Sequence, residues 1–169
     1  MIPSGKQCRN CSPDRKERKM DPRETINDIL VNLFNEIWKL EEEAIITEEF
    51  KDITNNDMHI IEAVGLTGEN TMSMVAKKMG ITAGSLTTSV NGLVNKKYVT
   101  RQRSDQDRRV IFLRLTDKGF KAYKHHQEYH RQMTDAVIGT LEEDEIPVLV
   151  KTLRGLSEFF RGYKDKIKN

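Results

Sequence analysis

Residues 71–116, TMSMVAKKMGITAGSLTTSVNGLVNKKYVTRQRSDQDRRVIFLRLT, limit most how this chain can fold. Thr71 is a suitable N-cap for two helical turns over residues 72–79, and Gly80 can end them at the C′ position. Ile81 plugs the turn that follows. Thr82 can then cap a second helix reaching about residue 97. On that helix Leu86, Val90, Leu93 and Val94 recur at i, i+4, i+7 and i+8 and form one apolar stripe. The opposite side offers Gly84, Ser85, Thr88, Asn91, Gly92 and Asn95, with Thr87 and Ser89 at its margins. All are small or neutral polar. A helix without long charged side chains suits the floor of a DNA major groove, where such side chains would hold it off.

A hairpin follows. Residues 98–103 make one strand, and Ser104-Asp105-Gln106-Asp107 supplies turn chemistry. On the return strand Arg109, Ile111, Leu113 and Leu115 share one face, with Val110, Phe112 and Arg114 on the other. Residues 96–114 carry seven Lys or Arg against two Asp, a net of +5. A charge run is often only a solvated face. Gathered at a hairpin tip beside a polar helix, it fits phosphate and minor-groove contact better. The fold class expected is mainly α with a small β-hairpin wing: a winged helix-turn-helix with long terminal dimerisation helices.

The remaining chain fills in that frame. Its 169 residues suffice for one domain with a core, and the net charge of +2 conceals a strong asymmetry. Residues 1–19 carry a net of +4 and residues 20–69 a net of −10. A DNA-binding protein needs positive charge only on the face that meets DNA. No apolar run approaches a membrane span, the N-terminus has no signal-peptide core, and two cysteines make no disulfide framework, so the cytoplasm is expected. Residues 1–20 read as a disordered basic tail, with Met20 an alternative start of the folded part. Within the tail, Cys8-x-x-Cys11 is half of a zinc-ribbon pattern that would need a second chain to complete four ligands.

Asp21-Pro22-Arg23-Glu24 is a strong helix start. Ile26, Ile29, Leu30, Leu33, Phe34, Ile37 and Trp38 keep helical spacing to about residue 44. That stripe is wide for a small core and is better explained by burial against a second chain. Thr54 caps a helix over 58–64 that stops at Gly65. Thr116 opens a long helix to about residue 139. Thr140-x-x-Glu143 resembles another capping box, and Pro147 either falls in the first turn of the last helix or kinks it. Val148, Leu149, Leu153, Leu156, Phe159, Phe160 and Tyr163 form that helix's stripe. One winged domain over 21–167 is therefore expected, with its winged helix-turn-helix at about 54–116 and dimerisation helices at about 21–46 and 117–166.

The run Arg103-Ser104-x-x-Asp107-Arg108-Arg109, ending in Leu115-Thr116-x-x-Gly119, resembles the wing signature of the MarR family of bacterial regulators. Within that family Phe50-Lys51-Asp52-Ile53, Asp57-Met58-His59, Leu86-Thr87-Thr88-Ser89, Ser104-Asp105-Gln106-Asp107-Arg108-Arg109 and His126-x-x-x-His130 are similar to the repressors of fatty-acid synthesis genes in Gram-positive bacteria. The likeness covers about residues 24–165. It implies a two-fold dimer with interlocked terminal helices, a pseudo-palindromic operator, and an effector bound between the dimer helices and the winged part. For the fatty-acid repressors it implies long-chain acyl-acyl carrier protein as corepressor. Phe34, Trp38, Ile61, Val64 and Phe120 could wall an acyl slot or be plain core.

Roles on the DNA surface follow from position. Arg109 should enter the minor groove, held by Asp107, while Arg108 meets phosphate. Ser85, Thr87, Thr88 and Asn91 should meet bases or nearby phosphates, and Thr82 with its helix N-terminus a phosphate. Thr71 and Arg103 complete the surface. His59, His125, His126 and His130 are metal candidates, with His126 and His130 one turn apart and Glu41 to Glu43 able to add oxygens. Polar-face histidines are the plainer account, so no metal ligand and no cofactor is assigned. Phosphate loops, G-x-S-x-G and H-E-x-x-H are absent, so no enzyme is expected. The alternative is a zinc-, redox- or small-ligand-sensing regulator on the same fold. A helical interaction protein without DNA would leave the wing arginines with no partner.

Overall fold

The computed structural model describes residues 21–167; the tail and its Cys8-x-x-Cys11 lie outside the described residues. The elements run α1 (Pro22–Ile45), α2 (Asn55–Val64), α3 (Met72–Met79), α4 (Ala83–Asn95), β1 (Val99–Arg103), β2 (Ile111–Leu115), α5 (Asp117–Ile138) and α6 (Glu145–Ile167). The chain divides into two compact units after Trp38. The described part of the first is the N-terminal stretch of α1. Its start is as expected: the backbone N–H of Arg23 donates to the Asp21 carboxylate at 3.0 Å. Along it Ile26, Ile29, Leu33, Phe34 and Trp38 are all exposed.

The second unit is built on one core. Leu86, Val90 and Leu93 of α4 are fully buried against Val75, Ile60, Ile61, Val64, Tyr98, Leu113 and Ala122. Val94 is only partly buried at the edge of that cluster. The caps explain where the short helices begin. Thr54 and Asp57 form a reciprocal capping box, each side chain taking the other's backbone N–H at 3.2 and 3.1 Å. That box starts α2 at Asn55, earlier than residue 58. Thr71 and Thr82 cap α3 and α4 through Met74 and Ser85. Gly80, at φ 66°, supplies the left-handed residue between them. Helix α4 ends at Asn95 because Lys97 turns left-handed, at φ 64°, to aim the chain into β1.

β1 pairs antiparallel with β2, from Val99 opposite Leu115 to Arg103 opposite Ile111. The return strand starts at Ile111 and not at Arg109, since residues 104–110 are consumed by the tip. β2 also has an outer neighbour that periodicity did not reveal. Leu113 N–H donates to the Asn70 carbonyl at 2.9 Å, and Thr71 bridges Phe112.

Thr116 both caps α5, accepting from Gly119 N–H at 3.1 Å, and donates its hydroxyl to the carbonyls of Lys97 and Tyr98. Gly119 presses on the same strand start: a Cβ there would stand 2.0 Å from the Tyr98 carbonyl oxygen. The Thr-x-x-Gly run is thus a joint between α5 and the base of the wing. Thr140 does not cap α6. Its hydroxyl donates to Val137, and the Glu145 carboxylate instead accepts from Glu142 N–H at 2.9 Å. Helix α6 starts at Glu145, which places Pro147 in the first turn, where no helical hydrogen bond is lost. Val148, Leu153, Phe159, Phe160 and Tyr163 are exposed on α6.

Candidate nucleic-acid interface

Helix α4 turns its stripe into the core and leaves Thr82, Ser85, Thr87, Thr88 and Asn91 on the surface. Each polar group is held in a defined pose. The hydroxyls of Thr82 and Ser85 lie 2.9 Å apart at the helix start. Thr87 and Thr88 donate back to the Ala83 and Gly84 carbonyls at 2.7 and 3.4 Å. The Thr87 and Thr88 hydroxyls keep acceptor capacity for a base amino group, whereas a phosphate oxygen, which only accepts, is met when a hydroxyl turns its proton outward from the helix. Asn91 accepts from the Arg101 guanidinium at 2.7 Å, which ties the helix to the first strand of the wing. Only the amide N–H groups of Asn91 then remain to donate outward. Thr71, in its capping pose at the start of α3, is half-buried, and Arg103 is exposed at the end of β1.

The wing tip is a knot of local hydrogen bonds. Ser104 Oγ accepts from the backbone N–H groups of Gln106 and Asp107 at 3.2 and 3.3 Å. Asp107 accepts from the Arg109 backbone N–H at 2.9 Å and stands 3.4 Å from Arg109 Nε. Arg109 remains 94 % exposed, a cation projected outward from a braced turn. Arg108 is exposed beside it.

Two ionic joints seat α4 and the wing, and periodicity marked neither. Lys96 at the end of α4 donates to Asp57 of α2 at 3.2 Å. Asp52 accepts from the Tyr98 hydroxyl at 2.6 Å and from Lys118 Nζ at 2.7 Å. Lys118 also lies 4.1 Å over the Tyr98 ring. Burial alone would raise the Asp52 carboxyl; its hydrogen bonds with Lys118 and Tyr98 outweigh that and hold it below the usual carboxylate range. Burial first, and then the Asp52 hydrogen bond, push the Tyr98 phenol far up, so it stays a donor.

The residues named for an effector slot fall in different settings. Ile61 and Val64 are fully buried in the core. Phe120 is half-exposed and lines a cleft of about 270 Å³ with Leu66, Arg114 and Leu115. Phe34 and Trp38 belong to the first unit and are exposed. Of the four histidines, His125 lies against Phe50 with ring centroids 5.2 Å apart. His59, His126 and His130 share a cluster with Glu41 and Glu62. Burial, and next the neighbouring His130, hold the His126 imidazole below its ordinary value against the opposing pull of Glu62 and Glu41. Among the described residues no helix is long and apolar enough to cross a membrane.

Residues 51–110 match the family model described as the MarR family. FabT of Streptococcus pneumoniae, solved in complex with DNA, is similar to this chain at 38 % identity and a TM-score of 0.77, covering 83 % of this chain and 99 % of that one. MepR of Staphylococcus aureus bound to DNA shares the fold, with a TM-score of 0.61 at 23 % identity over 76 % of this chain and 96 % of that one. Among curated proteins of Bacillus subtilis (strain 168), the HTH-type transcriptional regulator YpoP is 29 % identical over 55 % of this chain and 72 % of its own length. The HTH-type transcriptional regulator MhqR is 27 % identical over 56 % of this chain and 66 % of its own.

Proposed function

The chain belongs to the MarR family of DNA-binding transcriptional regulators, and from that premise we propose that it acts as a homodimeric repressor on a pseudo-palindromic operator. It is not an enzyme. The observation that carries the proposal is the continuous surface formed by the exposed polar side of α4 and the Asp107-braced Arg109, joined through Asn91 and Arg101. Such a surface reads one major-groove face and the adjoining minor groove. Its two-fold copy requires an inverted repeat with half-site centres about 34–36 Å apart, or roughly one turn of DNA.

Dimerisation is supported by the apolar side chains that the single chain leaves in solvent. On α1 these include Ile29, Phe34 and Trp38, and on α6 Val148, Leu153, Phe159 and Phe160. Patches of this kind on long terminal helices mark an interface. Genes of fatty-acid synthesis are the proposed targets, with long-chain acyl-acyl carrier protein as corepressor; the likeness to FabT supports this reading. The test is capture of fragments of the source genome by the protein, followed by footprinting. Protection of an inverted repeat upstream of fatty-acid genes, tightened by long-chain acyl carrier protein, is the expected result. Protection of a single asymmetric half-site would refute the dimeric mode, and indifference to the acyl carrier protein would refute the corepressor.

A further inference from the structure

Glu41 near the end of α1 is only 5 % exposed, and the ionic partners of its carboxylate among the described residues are histidines. One oxygen, Oε1, lies 3.3 Å from His126 Nε2 and 3.4 Å from His130 Nε2. The two imidazole nitrogens are themselves 3.1 Å apart. The other oxygen, Oε2, accepts from Asn55 Nδ2 at 3.3 Å and stands 3.6 Å from His59 Nε2. Behind His126, the Glu62 carboxylate is 3.6 Å from Nδ1.

As neutral imidazoles the rings satisfy this arrangement poorly. If His130 donates to His126 Nε2, that nitrogen's lone pair is taken, and no hydrogen remains to face Glu41. If His126 donates to Glu41 instead, its Nδ1 becomes a bare acceptor turned toward a second carboxylate. His126 is 1 % exposed, and Nδ1 has no hydrogen-bond partner. A buried acceptor left in that state is destabilising.

A cation inside the triangle removes both conflicts. Four-coordinate zinc with ligand bonds of about 2.0–2.1 Å needs donor atoms about 3.3–3.4 Å apart. The three edges found here are 3.1, 3.3 and 3.4 Å. With Nε2 on a metal, the proton of His126 moves to Nδ1 and points at Glu62, the outer-shell pairing that orients metal-bound imidazoles. We infer that Glu41, His126 and His130, with His59 near enough to supply a fourth ligand, form a binding site for a divalent transition-metal ion of the zinc type. The donor set of imidazoles and one carboxylate suits zinc, cobalt or nickel over calcium or magnesium. Its ligands come from the last turns of α1 and from α2 and α5, so the bound ion clamps these three segments within the second unit. The site is distinct from the DNA surface and does not depend on the acyl reading.

The experiment uses the full chain freed of metal with a chelator. Zinc is titrated by calorimetry, cobalt by visible spectroscopy, and the thermal midpoint is followed with added zinc. One zinc per protomer, four-coordinate cobalt bands and a midpoint that rises with zinc are expected. Glu41→Gln and His130→Gln preserve shape and should each weaken zinc binding at least tenfold, while His125→Gln should leave it unchanged. A folded His130→Gln and a folded Glu41→Gln that both bind zinc as the parent does would overturn the site. So would stoichiometric zinc that disappears with Cys8→Ser and Cys11→Ser, or no zinc binding at micromolar concentration.

Discussion

Replacing Arg109 by Ala tests how the wing meets DNA. Arg109 is 94 % exposed on a tip stiffened by Ser104 and Asp107, so its loss should leave the fold intact and remove one cation from the surface. Each phosphate charge neutralised on a duplex contributes about 0.9 to the slope of log affinity against log salt. A dimer presents two copies, so the variant's slope should be shallower by about 1.8. Between about 50 and about 200 mM salt the parent should therefore lose about twelvefold more affinity than the variant. The deficit at low salt should be largest on operators flanked by A·T steps, whose narrow minor groove carries the strongest negative potential. Asp107→Asn is the companion. It keeps the Arg109 charge, so the slope should be no shallower than the parent's, but it removes the 3.4 Å ion pair that aims the guanidinium. Its signature should be a weaker preference for A·T flanks. Fluorescence anisotropy over a salt series, on operators with A·T and G·C flanks, reads both quantities. An Arg109→Ala line parallel to the parent line, with the preference for A·T flanks unchanged, would refute the placement of the wing in the minor groove.

Other outcomes can be checked separately. Gly119→Ala puts a methyl group 2.0 Å from the Tyr98 carbonyl oxygen and should cost about 1–3 kcal/mol or more in urea unfolding; an unchanged midpoint would mean that the strand start yields freely. Phe159→Glu on the exposed α6 stripe should give monomers in light scattering and lose operator binding, whereas a dimer of parental mass would place the interface elsewhere. Thr88→Ala should cost about 1–3 kcal/mol on the preferred operator and relax base choice at one position, read by a competition series over single-base variants. Asp52 is held below its unfolded value, so its contribution to stability is present above the ordinary carboxylate range and is lost as pH falls through the folded value. Asp52→Asn should therefore flatten the acid limb of a stability–pH profile, and an unaltered limb would show the joint to be energetically silent.

The parts of this architecture that were legible in the chain are local. The caps at Thr54, Thr71, Thr82 and Thr116 satisfy backbone N–H groups three residues ahead, and the Leu86–Val90–Leu93 stripe follows one helical period. Both signals lie within a few residues, where spacing and geometry are the same statement. The wing's length was read less well, since turn residues and strand residues share the run 104–110. What escaped was long-range. Tyr98 meets Asp52 across 46 residues and Lys118 meets it across 66, while Glu41 reaches His126 across 85. No periodicity links such positions. The His126–His130 spacing was visible and the run Glu41 to Glu43 offered oxygens, but nothing local singles out Glu41 among the three glutamates as the one that reaches His126.

The contact of Gly119 and Thr116 with the carbonyls of Lys97 and Tyr98 has a mechanical consequence. With no side chain between them, helix α5 and the root of the hairpin cannot slide over one another. They behave as one lever whose short arm is the wing. A twist of α5 by a few degrees, whatever produces it, must then swing the Arg109 tip by a displacement that grows with its distance from the fulcrum. The most economical way to switch such a protein off DNA is therefore to leave the reading surface untouched and turn the handle.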